Sequence, residues 1–418
     1  MKTHTTGQQW DVVVIGGGPA GMMAASTAAS RGKSVLLLEK NPSLGKKLLI
    51  SGGGRCNVTN NKTDIRQMLA QYTEAGKFLF SAFVQHAVPE TIAWFAERGV
   101  AFIEENEGRL FPATQSAQTI QTALVDELKK TGVVVRTRAT VKSIFKPSGE
   151  ATFSVVLASG EVVTALACVL GTGGVSRPET GSTGEGFNWL AVLGHQIVPN
   201  NYALVPLTSR DAWIPALSGV TLPAVKITLY ADNKKQSVHT GKLLFTHVGL
   251  SGPTILNLSK TVGDMLTHSA VTLKINLLPD LDAGALKVAL AEHLRGVSNK
   301  QIKNALAELI PAALVAPILT LASVVPETPC HSVRAPDRTK IAQLIAALPI
   351  HISGLQGADK AVISSGGVSP TEVNFKTMES RIVPGLYLVG DVLDINRPSG
   401  GYGLQLCWTT GYVAGTCA

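Results

Sequence analysis

Glycines, rather than paired carboxylates, a nucleophile–base pair or metal ligands, carry the clearest chemical signal in this 418-residue chain. Gly16-x-Gly18-x-x-Gly21 follows an apolar run, Trp10–Ile15, and opens an Ala-rich stretch that ends near Arg31 and Gly32. In a strand–turn–helix the first of these glycines permits a tight turn. The second lets backbone approach a pyrophosphate, and the third lets the helix pack close to the strand. The helix start adds free N–H groups and a partial positive charge. A second apolar run, Ser34–Leu38, ends at Glu39, whose carboxylate suits ribose hydroxyls and repels a 2′-phosphate. The spacing predicts one parallel β–α–β unit that binds a dinucleotide, and it suits NAD as well as FAD.

The next segment separates the two. Ser51-Gly52-Gly53-Gly54-Arg55-Cys56-Asn57 places three glycines where backbone amides can lie along a flat polar ring system and a diphosphate, which favours FAD. His247, in Thr246-His247-Val248-Gly249, is a substrate-side candidate for a proton donor, against the alternative of a structural hydrogen bond. Cys56 reads as packing rather than catalysis. The nine histidines show no HxH or HExxH spacing, so no metal is expected.

A parallel sheet has to position these groups. Val133–Phe145, Phe153–Leu157 and Val162–Val169 read as strands of a meander that returns to Gly171-Thr172-Gly173-Gly174. In the middle of the chain Val225, Ile227 and Leu229 alternate with Lys226, Thr228 and Tyr230, and Val271, Leu273 and Ile275 alternate with Thr272, Lys274 and Asn276. Period two with one polar face predicts antiparallel sheet or barrel. From Asp282 to about Ser323 the spacing is helical, and Leu386–Val389 before Gly390-Asp391 returns to the parallel style. The expected fold class is α/β: a discontinuous Rossmann-like FAD-binding domain with an inserted antiparallel β-barrel-like domain and a small helical domain. Expected bounds are 1–195 and 361–418 for the FAD domain, 196–280 and 336–360 for the β-rich domain, and 281–335 for the helical insert.

Composition sets limits on partners. Hydrophobic residues at 45% and charged residues at 16% fit a well-buried enzyme. The net charge of +8 comes from scattered Lys and Arg with no basic block, which reads as a solvated surface. Five widely spaced cysteines without a CxxC pair suit a reducing cytoplasm. No apolar run approaches the roughly 18 residues of a membrane span, and the polar start, Met1 to Gln9, has no signal-peptide pattern. A cytoplasmic protein without a membrane partner is expected.

The stretch Leu48 to Asn60 resembles, almost residue for residue, the signature of the bacterial flavoprotein family typified by aminoacetone oxidase and the bile-acid-inducible reductase BaiN. Three further segments repeat the resemblance in order: Leu244 to Pro253, Lys303 to Leu306, and Val383 to Asp391 followed by Gly400-Gly401-Tyr402. The resemblance implies an FAD domain in two pieces beside a β-rich substrate domain. Carried over by position, Ile15, Gly16, Gly18, Pro19, Ala20, Gly21, Glu39 and Lys40 would hold the ADP half. Lys47, Ser51, Gly52, Gly53, Gly54, Arg55, Cys56, Asn57 and Asn60 would line the flavin and pyrophosphate. Val141 would meet adenine through its backbone, and Thr172 and Gly173 fit a second flavoprotein fingerprint. Gly390 and Asp391 would serve the ribityl and phosphate region, and Gly401, Tyr402, Gly403, Leu404 and Gln405 the flavin N1–C2=O edge, where helix-start donors favour the reduced anion. The chain departs from the family in having Gly390-Asp391 for Gly-Glu and Asn396-Arg397-Pro398-Ser399 before the double glycine. Arg397 is therefore a candidate contact for the flavin or a carboxylate substrate.

These readings point to an FAD-dependent oxidoreductase that moves hydride between the flavin and a small organic substrate, with no catalytic acid or base identified. It would be either an oxidase of a small amine, with O2 as acceptor, or an NAD(P)H-dependent reductase of an activated double bond. No second GxGxxG with a downstream acid follows Leu170, so NAD(P)H would visit the flavin transiently. The alternatives are a flavin-holding module without turnover and a tRNA-acting or RNA-binding flavoprotein. Only 5% of residues are aromatic, which argues against nucleic acid as a partner.

Overall fold

The computed structural model describes residues 9–146, 149–357 and 363–418, so the N-terminal tail and the expected boundary at 360/361 lie outside it. The chain divides into two compact units, one formed by residues up to 202 and from 358 onward, the other by 203–357.

The first unit is built on a nine-stranded sheet. Its parallel core runs Leu386–Leu388, Val162–Leu170, Gln9–Ile15, Val35–Leu38, Val134–Arg136. Val12 to Val14 and Leu36 and Leu37 have no exposed surface, because helices cover both faces of such a sheet. Strand order reverses beside Gln9–Ile15: one chain direction proceeds to Val35–Leu38, the other returns to Val162–Leu170. Ligands of open α/β sheets sit outside the carboxyl ends of the strands at such a point. Here those ends are Ile15-Gly16 and Leu170-Gly171.

The single strand expected over Val133–Phe145 is two. Val134–Arg136 joins the parallel sheet and Val141–Phe145 joins the antiparallel meander with Phe153–Leu157 and Val162–Leu170. Arg138 breaks the run: it takes a left-handed φ of 55° while its N–H bonds to the Asn41 carbonyl. The C-terminal helix begins at Tyr402 and reaches Cys417, four residues before the expected start at Leu406. Its glycines are positions of close approach. A side chain at Gly411 would meet Ala20 O and Met23 Cβ, and one at Gly415 would meet Ala24 O and Thr27 Cβ. The helices Pro19–Ser30 and Tyr402–Cys417 therefore lie side by side in the same direction, and Arg31 donates to the carbonyls of Gly415 and Ala418 at the common C-terminal end. A small antiparallel sheet of Thr59–Asn60, Arg109–Pro112 and Phe102–Glu105 completes this unit.

The second unit is a closed six-stranded barrel, in the order Leu207–Ser209, Gly249–Ser251, Lys234–Thr246, Thr221–Ala231, Val271–Asn276, Leu348–Leu355. Ile227, Leu229, Leu273 and Ile275 point inward with no exposed surface, as their period-two spacing requires. Leu286, Leu290 and Leu294 of the helix Ala283–Gly296, and Ile341 and Ile345 of Ala335–Ala346, share one apolar cluster with the barrel. No helix among the described residues is long and apolar enough to cross a membrane.

Candidate functional site

Gly16 sits at the carboxyl end of the first strand with φ 106°, and a Cβ there would strike the Gly171 carbonyl at the end of the neighbouring strand. A Cβ on Gly21 would fall on the Gly16 carbonyl oxygen. Gly18 is different: nothing lies within 4 Å of its Cβ position, so that backbone faces open space. Pro19 occupies the first helical position, no acidic side chain stands in the first turn, and no side chain caps it. The amides of Ala20 and Gly21 are thus presented to whatever fills the space by Gly18.

Glu39 is buried at the end of the second strand. Its carboxylate accepts from Gly17 N–H at 2.7 Å and from the backbone and side-chain amides of Asn41 at 2.7 and 2.8 Å. It braces the glycine turn and keeps acceptor capacity for a hydroxyl, since a carboxylate offers about four acceptor positions. Val141 begins the strand after residues 138 and 139, which hydrogen-bond to the Asn41 and Glu39 carbonyls. Lys40 binds Thr183 and Glu185 at 2.7 and 2.8 Å.

Ser51–Gly54 forms a run of left-handed glycines, with φ of 57°, 69° and 85° at Gly52, Gly53 and Gly54, followed by Cys56 at 62°. Three exposed glycines in this conformation make a concavity of backbone amides suited to an anion or a polar ring edge. The Arg55 side chain turns aside: it pairs with Glu105 at 2.6 Å, bonds Gln115 at 2.8 Å and stacks 4.2 Å over the Phe111 ring. Cys56 is fully buried, and burial pushes its thiol up to about 12, which keeps it uncharged at neutral pH.

The C-terminal helix is stitched to this loop. Asn57, with its amide oriented to satisfy both ends, accepts from Gly401 N–H at 3.0 Å and donates to the Thr59 and Leu110 carbonyls. Asn60 donates to the carbonyls of Glu107 and Gly400. Gln405 is wholly buried, accepting from the Thr59 hydroxyl and donating to those of Thr91 and Thr409. Trp408 donates to the Val58 carbonyl, and the Tyr72 hydroxyl to that of Tyr402. A Cβ on Gly401 would collide with the Thr59 backbone. The helix start leaves the amides of Tyr402, Gly403 and Leu404 without intrahelical partners.

Between the two ends lies a charged cluster. Lys47 bonds Ser176 at 2.6 Å and Asp391 at 3.4 Å, and Arg397 binds Asp391 and the Ile395 carbonyl. Burial alone would raise the Asp391 carboxyl; the Arg397 guanidinium and Lys47 ammonium outweigh it and hold it below the usual carboxylate range. Gly390, at φ 68°, donates to the Thr410 hydroxyl and abuts Ala20 and Cys407. Thr172 Oγ1 is buried without a partner among the described residues, and Gly173 lies against Ser182. Ser176, Thr183 and Glu185 were not singled out by motif, although the glycine density over Gly171–Gly186 marks their loop. His247 stands apart in the second unit. It is exposed in the hairpin turn between Lys234–Thr246 and Gly249–Ser251, and its ring makes no hydrogen bond among the described residues.

The open backbone at Gly18, the amide concavity of Gly52–Gly54 and the uncapped helix starts fit the diphosphate and polar ring of FAD, with Glu39 for the ribose. Among the described residues no cluster of three or more His, Cys, Asp or Glu could hold a metal.

Residues 10–417 match the family described as HI0933-like protein Rossmann domain. The ribosomal RNA dihydrouridine synthase of Escherichia coli (strain K12) is 33% identical over 408 residues, 97% of each chain. The 3-dehydro-bile acid delta(4,6)-reductase of Clostridium scindens is 29% identical over 408 residues, 97% of this chain and 98% of the relative. The open conformation of a flavocytochrome c3 fumarate reductase superposes with a TM-score of 0.54 at 16% identity, covering 98% of this chain and 78% of that one. At that identity the likeness establishes the fold alone.

Proposed function

The chain belongs to the HI0933-like Rossmann family of FAD-dependent oxidoreductases, and on that footing we propose that it is a reductase that saturates a carbon–carbon double bond conjugated to a carbonyl. The observation that carries this reading is a bond type shared by two full-length relatives. Dihydrouridine is uridine whose ring double bond, conjugated to a carbonyl, has gained two hydrogens. The delta(4,6)-reductase of a 3-dehydro bile acid acts on double bonds conjugated to a 3-oxo group. Bound FAD, once reduced, supplies a hydride to the carbon β to the carbonyl.

The chain's own residues position and polarise. Glu39 and the amides of Ala20 and Gly21 anchor the nucleotide half. The Gly52–Gly54 amides and the start of Tyr402–Cys417 surround the ring half with donors, which lowers the energy of negative charge there. Saturation also requires a proton at the α-carbon. NAD(P)H is the proposed reductant, visiting transiently.

A second reading, that the double bond lies in a uracil ring of RNA, is favoured by charge. Residues 203–357 hold 14 Lys and Arg against nine Asp and Glu, and Lys226, Lys234, Lys235 and Lys242 are exposed on one hairpin of the barrel. The test incubates the holoprotein anaerobically with NADPH and either a 3-oxo-4-ene steroid or unmodified ribosomal RNA, and reads the mass of the product. A gain of two hydrogens in either substrate supports the reductase, and the one that gains them assigns the substrate class. No gain in either, with bleaching of the oxidised protein by aminoacetone, would replace it with an amine oxidase.

A further inference from the structure

We infer that Arg397 sets the reduction potential of the bound flavin, through a buried charge cluster that carries one more positive than negative group. Lys47 and Arg397 share one carboxylate, Asp391. The Arg397 side chain is only 2% exposed, and its Nε–H is buried with no acceptor among the described residues. That unpaired donor lies against the first turn of the C-terminal helix: the Cβ position of Gly403 is 3.1 Å from it. A side chain at that position would press on the guanidinium. The free amides of Tyr402, Gly403 and Leu404 and the positive end of a 16-residue helix share the spot. Cys407 and Tyr72, which also face the cluster, are neutral at pH 7. Burial pushes the Cys407 thiol up to about 12 and drives the Tyr72 phenol above its ordinary range.

An unpaired buried donor and an excess cation are costly until an anion arrives. The FAD diphosphate is anionic in both redox states and favours neither, but the flavin ring becomes anionic only on reduction, when it takes up two electrons and one proton and keeps a negative charge. The cluster therefore binds the reduced form better than the oxidised form and raises the potential. The inference depends on FAD occupying this site and not on which double bond is reduced, so it stands or falls separately from the reductase reading.

The test measures the midpoint potential of FAD-loaded protein by titration with dithionite beside a reference dye, with no substrate present. Loss of a charge-assisted hydrogen bond changes the ratio of reduced to oxidised affinity by about 10- to 100-fold. At 29.6 mV per tenfold for a two-electron couple, Arg397→Gln lowers the potential by about 30–60 mV. Arg397→Lys, which keeps the charge, loses less, and Asp391→Asn raises the potential. A merely structural Arg397 would shift the melting temperature of the apoprotein and leave the potential in place. An unchanged potential in Arg397→Gln overturns the inference. If that variant does not retain FAD, an unchanged or lowered potential in Asp391→Asn overturns it.

Discussion

The Thr59 hydroxyl donates to Gln405 Oε1 at 2.7 Å across 346 residues of sequence. The pair joins the loop after the glycine run to the first turns of the C-terminal helix inside a wholly buried network with Thr91 and Thr409. The site is thus a junction of the two chain ends, held by side chains that have no room for a ligand.

Gln405→Ala leaves three buried hydroxyls short of a partner, each costing about 1–3 kcal/mol less whatever relaxation recovers. The expected result is a loss of about 2–4 kcal/mol in urea denaturation of the apoprotein, with weaker retention of FAD. A stability within 0.5 kcal/mol of the parent, as for an ordinary surface change, would show that the network does not tie the ends together.

The glycine turn separates folding from binding. Gly18 has φ of −80°, which any residue adopts, and open space at its Cβ. Gly18→Ala is expected to fold with unchanged apoprotein stability and to bind FAD at least roughly tenfold more weakly, because the methyl group fills the pyrophosphate approach. Gly21→Ala drives a methyl into the Gly16 carbonyl and is expected to lower apoprotein stability by about 1–3 kcal/mol as well. Equal apoprotein melting temperatures for the two variants would contradict this division.

His86 gives the molecule a dependence on pH. Its ring is buried, stacked 4.4 Å from Tyr412, and burial lowers its pKa from 6.5 to about 4. Between those values the unfolded chain binds a proton that the folded chain does not, so stability falls as pH drops from 6.5 toward 4. The loss approaches ~3 kcal/mol, and His86→Phe should remove it from that window. An unaltered profile between pH 7 and 4 in the variant would assign the acid sensitivity elsewhere.

The parts of the fold legible in the sequence were those where geometry restricts residue type. Gly16 and Gly21 had to be glycine because neighbouring backbone occupies the Cβ position, and the alternation of Val271 to Asn276 followed from one buried barrel face. What could not be read came from contacts distant in sequence. Arg55 lies in the glycine loop, yet its side chain leaves for Glu105 and Phe111, residues without any motif. Arg138 ended a strand by a left-handed turn that no glycine announced, and the helix start at Tyr402 was hidden because Gly403 resembles a loop residue. Burial of Arg397 beside Asp391 likewise depends on the packing of Gly403, not on local spacing.

The most direct measurement is single-turnover reoxidation. Holoprotein reduced by light and held under nitrogen is mixed with a 3-oxo-4-ene steroid, with ribosomal RNA carrying unmodified uridine, or with buffer. The return of the yellow absorbance is then followed. The proposal predicts that at least one carbonyl-conjugated substrate restores the absorbance faster than buffer, with one product molecule two hydrogens heavier per flavin reoxidised. Recovery at the buffer rate with both, alongside prompt recovery with O2, would contradict it.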